Sequence, residues 1–223
     1  MKITHVTTRV LDTLDETPLV AGLPEPGEHT GPRQLLTVEL GTDQGLVGLG
    51  VTFWHGALAP ALKVALDVLA ERTLGEDPRA VEAIASKLRG ATGRTSVNGS
   101  GIFHHALAAI DMACWDLKAK LADQSLCAFL GSARQRVPAY ASGALLRGFS
   151  LDALQRAADA LVRMGFGQLK MQCGSEATPA ASIDRVRAVR EAIGPGVDLM
   201  WRANTAPACG RFAICSRRGV LTS

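Results

Sequence analysis

Two stretches decide the fold: Leu169-Lys170-Met171-Gln172 and, about thirty positions later, Leu199-Met200-Trp201-Arg202-Ala203-Asn204. Each is a short apolar run that ends in polar residues, and each follows residues spaced as on an amphipathic helix. Polar groups at the carboxyl ends of successive parallel strands are where a (β/α) barrel keeps its chemistry. Ser150 can cap a helix whose buried face is Leu151, Leu154, Ala158 and Leu161, and Gly165 suits the C′ stop. Thr178-Pro179 opens a second helix, with Ile183, Val186, Val189 and Ile193 buried and Gly194 ending it. With strands at residues 137–141, 169–171 and 197–201, the spacing predicts consecutive βαβ units.

Toward the N-terminus the pattern changes. Residues 2–12 alternate as a strand, and residues 34–40 and 46–53 are two β-rich runs joined by Gly41-Thr42-Asp43-Gln44-Gly45, a hairpin signal. Residues 15–32 are rich in proline and glycine, without a period, and are expected to form a long loop. Leu58, Leu62, Ala65, Leu66 and Leu69 recur at helical spacing. Asp77-Pro78 reads as an N-cap and first helical residue before Val81, Ile84 and Leu88, and residues 90–101 read as a loop. Leu107, Ile110, Cys114, Leu117 and Leu121 then give one continuous apolar face.

The 223 residues carry a net charge of +3 and are 47% apolar but only 4% aromatic. The charge is too small and too mixed to argue for nucleic acid. No apolar run reaches the roughly 20 residues of a membrane span, and the N-terminus has no signal-peptide core. The five cysteines, Cys114, Cys127, Cys173, Cys209 and Cys215, show no Cys-x-x-Cys spacing, so reduced thiols in a cytoplasmic protein are expected.

The run His105-Ala106-Leu107-Ala108-Ala109-Ile110-Asp111-Met112-Ala113-Cys114-Trp115-Asp116-Leu117-Lys118-Ala119-Lys120 continues into Ser125-Leu126-Cys127-Ala128-Phe129-Leu130-Gly131 and Val137-Pro138-Ala139-Tyr140-Ala141-Ser142. Together with the two strand ends, it resembles the enolase superfamily, in its mandelate racemase and muconate-lactonizing group, and is acid-sugar dehydratase-like. The resemblance implies an α+β capping domain over residues 1–125, followed by an incomplete (β/α) TIM-type barrel over residues 126–204. Residues 205–223 are left as an irregular tail without Asp or Glu; a reading-frame shift near codon 201 is the expectation there, with a truncated gene product or a genuine divergent tail as the alternatives.

The resemblance also implies a chemistry. Such enzymes remove the proton alpha to a carboxylate and stabilise the enediolate with Mg²⁺, using a Lys or His base. Their substrates are small carboxylates, here a sugar acid. The first metal carboxylate of the family maps to Arg202, whose guanidinium offers no lone pair. No metal ligand is therefore assigned, and Mg²⁺, the family's cofactor, is not expected to bind. The family's Lys-x-Lys motif maps to Lys170 and Gln172, the candidate catalytic pair; Gln172 replaces the usual base, and Lys170 is left to attract a carboxylate. Trp54, His55 and Asn204 are candidate substrate contacts. The chain is accordingly expected to be catalytically incompetent. The alternatives are a non-catalytic capping or self-association fragment and a degraded gene product; self-association through open barrel strands is expected.

Overall fold

The hairpin read at residues 41–45 forms as expected. In the computed structural model, β2 (Arg33–Thr42) and β3 (Val47–His55) pair antiparallel, with Gly45 at a φ of 76° that favours glycine. β1 (Ile3–Asp12) pairs antiparallel with the other side of β2, giving the order β1-β2-β3. The structure describes residues 1–12, 20–21, 33–91, 101–174, 176–203 and 213–215. It divides into two units: Met1–Asp15 with Gly31–Gln135, and Glu16–Thr30 with Arg136–Ser223.

In the first unit the sheet packs on helices α1 (Ala59–Glu71) and α3 (Gly101–Leu121), and α2 (Val81–Ala91) packs on α3. Leu36, Val38 and Leu40 of β2 and Ala106, Ala109, Ile110, Ala113, Cys114 and Leu117 of α3 are fully buried. Two glycines set the distance between layers. A Cβ at Gly48 would lie 2.2 Å from the Ala113 carbonyl oxygen, and one at Gly50 would lie 1.8 Å from that of Ala109. Only glycine lets β3 rest directly on the backbone of α3. A short helix, α4 (Leu126–Phe129), follows, its first turn capped by the Ser125 hydroxyl, which accepts from Ala128 N at 3.2 Å.

Two boundaries differ from the sequence reading. α2 starts at Val81, not at Pro78. The Asp77 carboxylate instead accepts from Arg79 N at 3.0 Å and grips the Arg79 guanidinium, whose hydrogen bonds hold the acid at about 2. That local turn competes successfully with the helix. α3 begins at Gly101, at the edge of the segment read as a loop; residues 92–100 lie outside the described residues.

The second unit contains α5 (Leu151–Arg163), β4 (Gln168–Cys173), α6 (Pro179–Ile193) and β5 (Asp198–Ala203). Ser150 accepts from Ala153 N and Thr178 accepts from Ala181 N, both at 3.2 Å, so both expected caps form. Gly165, at a φ of 93°, ends α5 with its N–H on the Val162 carbonyl. β4 and β5 pair in parallel, with Leu169 opposite Leu199 and Gln172 opposite Arg202. Leu169, Met171 and Cys173 face the helix layer and are buried with Leu154, Leu161 and Val189. Val20, from the segment read as a loop, is buried in this same core; the rest of residues 15–32, apart from residue 21, lies outside the described residues.

The strand expected at residues 137–141 is reduced to a single parallel bridge, Ala141 to Leu169. Pro138 has no N–H to give, and Val137 and Tyr140 are exposed, so little apolar burial draws the segment onto the sheet. On the other edge, β6 (Ala213–Cys215), within the segment read as an irregular tail, pairs antiparallel with β5. That direction is opposite to the all-parallel order of a barrel.

Candidate active-site face

Period-two alternation along β4 puts Lys170 and Gln172 together on the face turned away from the helices. The Lys170 ammonium lies 5.6 Å from the centre of the Tyr140 ring, within cation–π range. Arg147 Nε lies 3.4 Å from Gln172 Oε1, and Gln172 N donates to the Leu145 carbonyl at 2.9 Å. Lys170, Arg147 and Gln172 therefore line the carboxyl end of β4. Arg202 is beside Gln172 in register. This is a cationic surface, suited to an anionic group.

It does not suit Mg²⁺. That ion needs hard oxygen donors in near-octahedral array, whereas the groups here are an ammonium, a neutral amide already at Arg147, and a register position held by arginine. Among the described residues no three His, Cys, Asp or Glu side chains are grouped to hold a metal ion.

The loops that carry this surface are tied by one buried arginine. Arg185 of α6 donates through Nη2 to the carbonyls of Leu146 at 3.0 Å, Arg147 at 2.7 Å and Phe149 at 2.5 Å. Its Nε is 3.2 Å from Glu176 Oε1, a charge contact rather than an aligned hydrogen bond. Both side chains are less than a tenth exposed. Glu176 Oε2 accepts from Gly174 N at 2.7 Å and from Ser182 Oγ at 2.9 Å. Burial works against the Glu176 carboxylate, but the backbone N–H groups of Gly174 and Glu176, the Ser182 hydroxyl and Arg185 outweigh it and hold its pKa below the usual value. Arg185 thus joins the segment carrying Arg147 to the loop that follows β4.

A cavity of about 430 Å³ opens on the opposite, helix-side face of β4, between Cys173, Glu176, Pro179, Ile183, Val186 and Trp201. The Cys173 thiol there is pushed up to about 11 by burial, which makes it a poor nucleophile at neutral pH. The buried Trp201 Nε1 finds no acceptor among the described residues. The cavity is apolar and lies away from Lys170 and Gln172, so it is a packing groove rather than part of the cationic face.

Trp54 belongs to the first unit, where it packs edge-on to His105 with ring centres 5.2 Å apart. His55 ends β3, with its backbone opposite Arg33. Asn204 lies outside the described residues. Sequence reading missed Arg147, Tyr140, Glu176 and Arg185. For Arg185 a signal existed: it lies four and eight positions before Val189 and Ile193, both buried, and so shares their helical face.

Comparison with known proteins agrees with this architecture. Residues 26–131 match the mandelate racemase / muconate lactonizing enzyme N-terminal domain, and residues 152–211 match the enolase C-terminal domain-like family. The chain belongs to the enolase superfamily, in the mandelate racemase and muconate-lactonizing group. It is a capping domain followed by part of a barrel. It is 33% identical to the L-talarate/galactarate dehydratase of Salmonella typhimurium over 76% of this chain and 42% of that protein. It is 33% identical to the D-galactarolactone cycloisomerase of Agrobacterium fabrum, over 92% of this chain and 52% of the relative. The crystal structure of the L-talarate dehydratase from Polaromonas, complexed with Mg and L-glucarate, superposes with a TM-score of 0.71 at 35% identity, covering 82% of this chain and 49% of that one. The chain spans about half the length of the relatives it matches. Among the described residues no helix is long and apolar enough to cross a membrane.

Proposed function

We propose that residues 1–223 carry the capping domain and the first barrel strands of a sugar-acid lyase or isomerase, and that by themselves they do not catalyse its reaction. The observation that carries this reading is the composition of the cationic face. Lys170 and Arg147 can attract a carboxylate, but Gln172 cannot exchange a proton near neutral pH, and the position next to it in register is Arg202. Relatives that dehydrate or cyclise acid sugars supply the substrate class: small polyhydroxy carboxylates such as galactarate, talarate or galactonate. With no base at Gln172, proton abstraction in a longer form of this protein would come from another strand. That arrangement fits a dehydratase better than a racemase, which needs a base on each side of the carbon.

The test is direct. Purified chain is incubated with galactarate, L-talarate, L-glucarate, D-galactonate and arabinonate, with and without Mg²⁺. Dehydration removes the α-proton and the β-hydroxyl as water and leaves a 2-keto acid, which semicarbazide traps. The expected result is no product above the buffer control for any acid. Turnover of one of them, abolished by Lys170→Ala, would overturn the non-catalytic reading.

A further inference from the structure

Gln172 cannot move a proton near neutral pH, but its amide has another task on the cationic face. Its Oε1 accepts from Arg147 Nε at 3.4 Å. A lysine at that position would set an ammonium against the guanidinium, a like-charge contact that a partly buried site makes costly. A neutral amide with an acceptor oxygen therefore does two things at once: it removes a base and it holds an arginine.

Arg147 is fixed through its backbone as well. The carbonyls of Leu146, Arg147 and Phe149 all accept from Arg185 Nη2, and the Leu145 carbonyl accepts from Gln172 N. Main chain and side chain are both positioned before a ligand arrives, which reduces the entropy lost on binding. A guanidinium carries several N–H donors in a planar fork, so a contact at Nε does not exhaust its capacity for a carboxylate.

Lys170 stands at a second station. Its ammonium rests over the Tyr140 ring, and it precedes Gln172 by two residues on the same face of β4, about 7 Å along the strand. Lys170, Gln172 and Arg147 are all neither buried nor fully exposed, so the face is open to a solute. The spacing of the two stations matches the reach between the carboxylates of an extended six-carbon diacid. A monoacid of the same length places a neutral hydroxyl at one of them.

We propose that Arg147, positioned by Gln172 and Arg185, determines specificity at this face, gripping the second carboxylate of a sugar diacid while Lys170 takes the first. The inference rests on the sugar-acid reading above and adds to it which acids are preferred and which residue prefers them. Gln172 is a positioning residue, since it acts through Arg147.

Isothermal titration calorimetry of the full chain, without Mg²⁺ and at low ionic strength, where exposed charges are least screened, tests this. The probes are galactarate, D-galactonate, galactitol and adipate, a six-carbon diacid without hydroxyls. Galactarate is expected to bind about tenfold more tightly than D-galactonate, the margin of one added charge-assisted contact, and galactitol not at all. Arg147→Gln should abolish that margin by weakening galactarate alone. Arg147→Lys keeps the charge without the fork and should keep part of the margin; it gives a second reading should Arg147→Gln fold poorly by far-UV circular dichroism. Gln172→Leu should shrink the margin while leaving D-galactonate binding as it was, whereas a merely structural role would weaken both acids alike. Equal affinity of the wild type for the two acids, binding of neither, or an equal loss for both in the folded Arg147 variants would overturn the proposal. Adipate binding as tightly as galactarate, with the same loss in Arg147→Gln, would support Arg147 as the diacid anchor and sink the sugar-acid reading instead. Turnover of galactarate in the semicarbazide assay would sink the non-catalytic reading and leave the affinity margin standing.

Discussion

Arg185 and Glu176 matter beyond their own contact because they connect two loops. Three carbonyls and a carboxylate converge on one guanidinium inside the second unit. Removing one partner of such a pair leaves a buried charge uncompensated, at a cost of about 3–5 kcal/mol. Arg185→Met is expected to lose stability of that order in urea unfolding followed by far-UV circular dichroism. Glu176→Gln, which keeps the shape and much of the hydrogen bonding, should lose less. The pair also sets a pH dependence. The folded pKa of Glu176 lies below its ordinary 4.5, so the unfolded chain binds the proton more tightly. Its contribution is complete above pH 4.5 and is lost as pH falls from there through the folded value. Wild type should therefore lose stability across that acid window more steeply than Glu176→Gln; parallel pH profiles would show that the carboxylate is not held by its partners. At this scale the sequence was readable only where the period of a single element decides the outcome. Lys170 and Gln172 share a face because every second strand residue does. Arg147 and Tyr140 approach them from more than twenty positions away, a juxtaposition that only tertiary packing creates.

Among elements, β3 and α3 meet backbone against backbone at two glycines. Gly50 faces the Ala109 carbonyl with no room for a methyl group, and backbone cannot step aside as a flexible side chain can. Gly50→Ala is expected to cost about 1–3 kcal/mol by overpacking and to lower the melting temperature of the first unit by roughly 5–15 °C. Gly90→Ala is the control. It lies in α2 with nothing within 4 Å, so helix propensity alone should make it neutral or stabilising by up to about 1 kcal/mol. Equal melting temperatures for wild type and Gly50→Ala would mean that the two layers are further apart than their glycines require. Local chemistry made the helices legible: Ser150, Thr178-Pro179, Gly165 and Gly194 stop and start them where the sequence indicates. It misled at Asp77, where a side-chain turn with Arg79 took the place of the helix N-terminus. It also misled at residues 137–141, whose alternation looks like a strand but whose side chains stay exposed until Ala141. Strand pattern describes a readiness to pair; pairing itself needs a neighbour to bury against.

The two units of the molecule have unequal cores. In the first, the three strands pair along nearly their whole length and are backed by three helices. Among the described residues of the second, β4 is held on one side by the Ala141 bridge and the hydrogen bond from Gln172 N to the Leu145 carbonyl, and β5 is covered on its far side by three residue pairs with β6. Ile183 remains 44% exposed beside an apolar cavity. Shorter strands with fewer paired residues make the second unit, among the described residues, the weaker one. Heating should therefore unfold it first. The tryptophans separate the two events, since Trp54 and Trp115 report on the first unit and Trp201 on the second. In a Trp54→Phe, Trp115→Phe background, Trp201 emission should shift to the red at a lower temperature than emission from the Trp201→Phe protein, which retains the other two. Arg185→Met should lower only the earlier transition and Gly50→Ala only the later. A single transition seen identically by both sets of tryptophans, and moved equally by both substitutions, would mean that the units unfold as one cooperative body.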